Sequence, residues 1–123
     1  MPPTSKKTVV LGASPNPDRY SNMAVRRLRN AGHPVTAIGL NPATIGDVEI
    51  ATEQQAITDV DTVTLYLNAG NQIEYYDYIL SLHPRRIIFN PGAENPELEA
   101  LASAHGIQPV EACTLVLLST GQY

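Results

Sequence analysis

Short apolar runs alternate with helical patterns along this chain. The runs lie at residues 8–11, 34–39, 62–67, 86–89 and 107–110. Runs of this length with little polar interruption are typical of parallel strands that are buried on both faces. The alternation therefore predicts a doubly wound α/β domain, with a five-stranded, mainly parallel sheet flanked by helices.

Capping residues mark the helices between these strands. The first helix is predicted to begin near Ser21 or Asn22, with Ser21 as its N-cap, and to end at Gly32. The second is predicted over residues 72–82. The third begins after Asn95, which has the features of an N-cap because a proline and acidic residues follow it.

Two further stretches carry weaker patterns. The turn-rich connection after the second strand favours a short strand at 48–50 and a helical turn within 52–57. The apolar run 115–118 in the tail fits a helix or a strand, and Gly121 favours the helix because glycine commonly follows a helix end.

Length and charge restrict the partners. The chain has 123 residues and a formal net charge of −4, which predicts one domain over residues 1–123 and argues against nucleic-acid binding. A flexible N-terminus is expected over 1–6. Arg26, Arg27 and Arg29 are expected on the solvated face of the first helix.

No apolar run approaches the ~20 residues of a membrane span. With a single cysteine and no signal-peptide pattern, a cytoplasmic location is expected.

The segment after the first strand has the features of an anion-binding turn. The strand breaks at Gly12, a polar loop follows, and the helix begins without an acidic residue in its first turn. Backbone N–H groups and the helix dipole at such a turn favour a phosphate. Arg19, just before the helix, adds a charge suited to phosphate oxygens. We therefore predict that this loop binds the pyrophosphate of a nucleotide-type cofactor.

The residues argue against a dinucleotide as that cofactor. No glycine appears between Gly12 and Gly32, so the pattern G-x-G-x-x-G is absent. Asn41 and Pro42 stand where an acidic residue would bind the ribose hydroxyl. A P-loop is excluded because no Gly-Lys-Ser/Thr is present. An NAD(P)-dependent oxidoreductase stays as an alternative, since Arg19 could bind a 2′-phosphate.

The run from Gly12 to Asn22, followed by Leu40-Asn41-Pro42 and Ile45-Gly46, is more specific. It resembles the CoA-binding domain family, which comprises small Rossmann-like proteins similar to the N-terminal domain of the succinyl-CoA synthetase alpha subunit. The resemblance extends over about residues 7–120. It implies a Rossmann-like fold that holds coenzyme A over the ends of the strands.

The resemblance also implies a set of ligand-binding residues. Phosphates are expected on the first loop and the helix start, adenosine on the loop after the second strand, and pantetheine along the two later loops. The residues implied are Gly12, Ala13, Ser14, Asn16, Arg19, Ser21, Asn22, Asn41, Pro42, Ile45, Leu67, Asn68, Ala69, Asn90, Pro91 and Gly92. The tail departs from the family pattern, because Ala112 precedes Cys113 where many relatives carry arginine.

No catalytic or metal-binding residue is predicted. His33, His83 and His105 each lie at a predicted helix end, where the dipole favours a cation, and their spacing gives no metal-ligand pattern. Cys113 is interpreted as a small buried hydrophobe, with a mixed disulfide to the CoA thiol as the alternative.

Three functions follow from these observations. The first is a stand-alone module that binds CoA or acyl-CoA without catalysis and senses the ligand or presents it to a partner. The sequence leaves open whether the chain forms a homo-oligomer and does not identify a protein partner. The second is an NAD(P)-dependent oxidoreductase. The third is the CoA-binding subunit of a multi-chain acyl-CoA ligase.

Overall fold

The chain forms one seven-stranded sheet in a computed structural model that describes residues 5–123. The strands are β1 (Thr8–Ala13), β2 (Val35–Gly39), β3 (Ala43–Ile45), β4 (Val48–Ala51), β5 (Thr62–Leu65), β6 (Arg86–Phe89) and β7 (Gln108–Glu111). Their order is β3-β4-β2-β1-β5-β6-β7. Every neighbouring pair is parallel except the β3–β4 hairpin. The predicted α/β class with a mainly parallel sheet is therefore confirmed.

The predicted number of five strands is wrong, because a hairpin extends one edge of the sheet. Its second strand, β4, coincides with the short strand favoured at 48–50. Its first strand, β3, has only three residues, which is too short to show a period of two. The hairpin turns at Gly46, where φ is +60°. The helical turn expected within 52–57 is absent, and those residues are irregular.

The helices also differ from the prediction at their boundaries. They are α1 (Tyr20–Asn30), α2 (Ala69–Gln72), α3 (Tyr76–Leu82), α4 (Pro96–Ala104) and α5 (Thr114–Ser119), with a 3₁₀ turn at Ile73–Tyr75. The helix predicted over 72–82 is thus divided at that turn. In the described part of the chain, no helix has the length and apolar character needed to cross a membrane.

Caps explain where the helices begin. The N-cap of α1 is Arg19 rather than Ser21, and the Arg19 carbonyl accepts the N–H of Met23 at 3.2 Å. The cap of α4 is Asn95, as predicted, because its side chain accepts the N–H of Leu98 at 3.2 Å. The tail forms the predicted helix, α5, and Gly121 follows it with a φ of +72°.

The central strand β1 is buried on both faces. Val9 and Leu11 pack with the side chains of α3 and α4 on one face, whereas Val10 and Ala13 pack with α1 and α5 on the other. The pairing of β1 with β2 shifts register between Leu11 and Ala13, so a bulge lies at Gly12. The continuous apolar run of this strand therefore reflects two hydrophobic layers.

Two predictions about the limits of the domain are not tested by the structure. These are a single domain over residues 1–123 and a flexible N-terminus over 1–6, of which residues 1–4 lie outside the described residues.

His33 is held as a neutral side chain, contrary to the cationic role expected at its helix end. It is buried, its Nδ1 accepts the backbone N–H of Lys6 at 2.9 Å, and its ring lies 4.9 Å from the ring of Tyr123. Burial lowers the pKa of His33, and the charges of Lys6 and Arg86 lower it further, while Asp61 opposes them. Protonation would break the bond from Lys6 and add a third cation there.

This arrangement predicts a pH-dependent stability. Because the folded state has the lower pKa, the unfolded chain binds more protons below its ordinary value of 6.5. We expect the contribution of His33 to be complete above that pH and to be lost progressively below it. Urea unfolding between pH 7.5 and 5.5 measures this, with His33→Gln as the comparison. Equal pH slopes for the variant and the natural chain would contradict the expectation.

Candidate functional site

A cleft of about 400 Å³ opens where β1, β2, β5 and β6 end. The strand order places β2 on one side of β1 and β5 on the other. The loops that leave β1 and β5 therefore diverge, which is the switch point where doubly wound sheets bind their ligands. The volume falls within the range of small-molecule sites.

Many of the residues expected to bind the ligand line this cleft. The structure brings together Gly12, Ala13, Ser14, Arg19, Ser21, Asn41, Leu67, Asn68, Pro91 and Gly92. The other residues of the expected set, which do not line it, are Asn16, Asn22, Pro42, Ile45, Ala69 and Asn90. The ligand contacts of both groups remain predictions.

Two glycines allow the strand ends to approach one another. Gly12 has a φ of +91°, and a Cβ at this position would lie 3.0 Å from the backbone of Tyr66. A Cβ on Gly39 would lie 2.3 Å from the carbonyl oxygen of Ala13, a distance that real Cβ atoms do not adopt. The floor of the cleft is therefore formed where backbone segments of neighbouring strands come close together.

The loop after β1 is shaped by its own side chains. Ser14 Oγ accepts the N–H of Asn16 at 3.2 Å, and Asn16 Oδ1 accepts the N–H of Asp18 at 2.9 Å. The N–H of Arg19 then bonds to the Asn16 carbonyl at 3.0 Å. These consecutive turns are typical of Ser and Asn. In this structure Asn16 shapes the loop, although it does not line the cleft.

Asn22, in the first turn of α1, is hydrogen-bonded to the same loop. Its side chain is 1% exposed, and Nδ2 donates to the Ser14 carbonyl at 2.9 Å. Its Oδ1 has no hydrogen-bond partner among the described residues. The amide therefore fixes the start of α1 against the loop.

Asn90 and Ile45 are held in the interior. Asn90 Nδ2 donates to Thr64 Oγ1 at 2.7 Å and to the Leu65 carbonyl at 2.8 Å, and its Oδ1 accepts the N–H of Thr114 at 2.8 Å. One amide thus joins β5, β6 and α5. Ile45 is buried and packs in the core with α1.

A second buried amide, which the sequence did not reveal, connects the two loops at the far side of the cleft. Gln72 is fully buried, and its Nε2 donates to the carbonyls of Leu67 and Ala93, both at 2.8 Å. Its Oε1 accepts from Asn95 Nδ2 at 2.9 Å. Asn95 also donates to the hydroxyl of Tyr76 at 2.8 Å. Because residue spacing does not show which loops an amide joins, no signal in the sequence identified this role.

Aromatic and apolar side chains that the sequence argument missed also line the cleft. Tyr20 and Leu40 lie at the rim, where they are 70% and 87% exposed. Tyr66 and Tyr75 lie further along, and burial raises the pKa of both phenols. Tyr66 Oη is buried beside Thr114 but has no hydrogen-bond partner within the described chain. For Tyr20, Leu40 and Tyr66 the available signal was their position directly beside a residue of the expected set. Tyr75 carries no such signal. The remaining lining residues are Pro15, Gly39 and Ala93.

The electrostatics of the cleft favour an anion at the β1 end. Among the described residues that line it, Arg19 is the only charged one. The first residues of α1, Tyr20 and Ser21, have no carbonyl four residues earlier within the helix to accept their N–H groups. The first turn of α1 carries no acidic residue. A small-residue floor, a guanidinium and a helix N-terminus together fit a diphosphate group.

The other candidate reactive groups lie away from the cleft lining. Cys113 is half-buried at the N-cap position of α5. His83 and His105 are exposed at the ends of α3 and α4. Within residues 5–123, no group of three His, Cys, Asp or Glu side chains is arranged to hold a metal ion.

Comparison with known proteins gives one family and several similar structures. The model of the CoA binding domain family matches residues 6–119, while no curated protein matches the chain. A crystal structure of an uncharacterized protein is 49% identical, with a TM-score of 0.94, over 97% of this chain and 98% of that one. A hypothetical protein from Pyrococcus horikoshii OT3 is 19% identical, with a TM-score of 0.85, over 95% of this chain and 84% of that one.

A larger protein contains a similar fold as one of its parts. The dinucleotide-forming acetyl-coenzyme A synthetase 1 of Ca. Korarchaeum cryptofilum, solved with phosphate and ADP, is 16% identical with a TM-score of 0.68. The match covers 88% of this chain and 26% of that one. At such low identity, this likeness and that to the P. horikoshii protein show a shared fold alone.

The contact at Gly39 predicts a sharp difference between two glycine substitutions. We expect Gly39→Ala to lower the free energy of unfolding by about 1–3 kcal/mol, because its Cβ would force the Ala13 carbonyl away. Gly70→Ala is the matched control, since its Cβ would meet nothing closer than 3.6 Å and the position is helical. The control should be at least as stable as the natural chain. Urea unfolding compares the two, and an unaffected Gly39→Ala protein would disprove the close approach.

Proposed function

Since the chain belongs to the CoA-binding domain family, we propose that it binds coenzyme A, free or acylated, in the cleft beyond β1, β2, β5 and β6 and catalyses no reaction on it. The observation that carries the proposal is the glycine-floored turn at the β1 end. There Arg19 is the only charged residue among the described lining residues, and it lies directly at the N-terminus of α1.

The residues present fit the chemical parts of this ligand. The pyrophosphate would lie over Gly12, Ala13 and Ser14, with Arg19 and the first N–H groups of α1 as donors. The adenosine would lie beside Leu40 and Asn41 at the end of β2.

The pantetheine arm would then extend along the strand ends toward the loop after β6. It would pass Leu67, Tyr66 and Tyr75, which supply apolar and aromatic surface for its alkyl groups. When bound, CoA would supply a thiol or a thioester to the cleft.

The composition of the lining supports binding rather than catalysis. The described lining residues include no Asp, Glu, His, Lys or Cys. General acid–base catalysis uses a group of that kind, or a tyrosine, within hydrogen-bond reach of the reacting atoms. The lining does contain tyrosines, but burial raises the pKa of Tyr66 and Tyr75 further from neutrality, so neither is suited to act as a base near pH 7. A role in presenting or sensing CoA, with an oligomeric or protein partner still to be identified, is consistent with this surface.

A subunit of a multi-chain acyl-CoA ligase is the second candidate. The observation that favours it is the shared fold with one part of the acetyl-coenzyme A synthetase described above. In that case the catalytic residues would come from a separate chain. Co-purification with a nucleotide-binding partner from cell extract would favour this candidate, and recovery of the protein without one would count against it.

Titration calorimetry tests the proposal directly. We expect saturable binding of CoA, with NADP and NADPH as the comparison ligands. NADP is expected to bind more weakly, because the loop after β1 lacks the second and third glycines with which dinucleotide-binding loops approach the pyrophosphate. Preferred binding of NADP would overturn the proposal and support an oxidoreductase.

Arg19 provides the sharpest mutational test of the phosphate site. We expect Arg19→Ala to weaken CoA binding by about 1.5–3 kcal/mol, through loss of a charge-assisted hydrogen bond. Arg27→Ala is the control, since Arg27 is exposed on the outer face of α1. Both variants should keep the stability of the natural chain, because neither side chain is buried. Unchanged CoA affinity in the Arg19 variant would remove that residue from the site.

A further inference from the structure

The loop after β6 holds a carboxylate at the far end of the cleft. Glu94 Oε1 accepts the backbone N–H of Gly92 at 2.9 Å, and Gly92 itself lines the cleft. The turn is closed by the N–H of Ala93, which donates to the Asn90 carbonyl at 2.8 Å. The exposed carboxylate of Glu94 is thus held beside the lining residues Gly92 and Ala93 by this hydrogen bond.

The surroundings of this end increase its negative character. Glu97 accepts a hydrogen bond from Tyr76 at 2.9 Å, and Glu74 precedes Tyr75, a lining residue whose pKa it helps to raise after burial. No lysine or arginine stands among the described lining residues at this end, because the only charged one, Arg19, belongs to the β1 end. The charges near the two ends of the cleft therefore differ in sign, since Arg19 lines the β1 end and Glu94 is hydrogen-bonded to Gly92 in the lining at the other end.

On these observations, and resting on the proposed function, we infer that Glu94 makes the cleft select free CoA and thioesters with an uncharged acyl group. Thioesters whose acyl group ends in a carboxylate are rejected. With the phosphates at Arg19, the acyl group reaches the loop after β6, where a second carboxylate meets Glu94. Like charges repel more strongly beside protein than in bulk water, and such repulsion is an effective source of specificity.

A conservative substitution distinguishes a role of Glu94 in ligand selectivity from a role in holding the loop. A glutamine at position 94 keeps an oxygen that can accept the Gly92 N–H, and it removes only the charge. A structural role would therefore be preserved in Glu94→Gln, while discrimination by charge would be lost. Glu49→Gln is the matched control, because Glu49 is exposed on β4, which β2, β1 and β5 separate from β6.

The experiment measures the dissociation constants of CoA, acetyl-CoA, butyryl-CoA and succinyl-CoA by titration calorimetry at low and high salt. Butyryl-CoA and succinyl-CoA have acyl groups of the same chain length, so their comparison isolates the carboxylate. For the natural chain we expect the first three ligands to agree within about threefold and succinyl-CoA to bind at least about tenfold more weakly. In Glu94→Gln the difference between butyryl-CoA and succinyl-CoA should shrink about tenfold, and in Glu49→Gln it should persist. Added salt should reduce the difference.

Two results would overturn the inference. One is equal affinity of the natural chain for butyryl-CoA and succinyl-CoA, and the other is a difference that survives in Glu94→Gln. If CoA and acetyl-CoA bind saturably in either case, the proposed function stands and only the selectivity is refuted. If no CoA compound binds at all, the proposed function fails and this inference fails with it.

Discussion

The close approach of backbone segments at the ends of β1, β2 and β5 is the constraint on which the cleft depends. The Ala13 carbonyl occupies the space where a Cβ of Gly39 would lie, and Gly12 packs against the backbone of Tyr66. Any side chain at these glycines would separate the strand ends. The bulge between Leu11 and Ala13 lies at the same place, because Gly12 is the residue at which the register of β1 with β2 shifts. The small-residue floor and the direction of the first loop are therefore consequences of one packing arrangement.

Buried amides maintain that arrangement from within. Asn90, Gln72 and Asn22 each donate to a backbone carbonyl at or beside a loop of the cleft. An amide side chain can donate and accept at once, so it can satisfy polar backbone groups where the strands end and regular pairing stops. Burying such a group is costly unless it is hydrogen-bonded. These hydrogen bonds therefore favour one arrangement of the loops around the cleft.

The sequence predicted an element correctly where a single physical effect determined its residue pattern. The central strands were predicted because burial on two faces leaves a continuous apolar run, and α4 was predicted because Asn95 and Pro96 form an unambiguous helix start. The β3–β4 hairpin was missed since three residues at a sheet edge carry almost no pattern. The N-cap of α1 was misplaced because serine has a strong intrinsic preference for N-caps, whereas Arg19 holds the position through its backbone carbonyl alone.

For the candidate site, the rule that parallel strands end at one edge of the sheet placed the four loops together. It could not distinguish a side chain that lines the cleft from one that supports the loops. Asn90 and Asn68 follow neighbouring strands and look alike in the sequence, and only the fold shows that the first is buried and the second lines the cleft.

The net charge of −4 does not oppose a site for an anionic ligand, because charges act locally in salt solution. Exposed charges more than about 8 Å apart are largely screened at physiological ionic strength, so most of the acidic surface has little effect at the β1 end. Within that distance the guanidinium of Arg19 lines the cleft, whereas the carboxylate of the neighbouring Asp18 does not. The helix N-terminus beside Arg19 adds a partial positive charge that is strongest within the first turn. The same reasoning makes Glu94 matter more than other acidic residues, because its hydrogen bond to Gly92 keeps its charge beside the lining. The position of a charge relative to the cleft, and not the sum of charges on the chain, therefore decides the electrostatic potential at each end of the cleft.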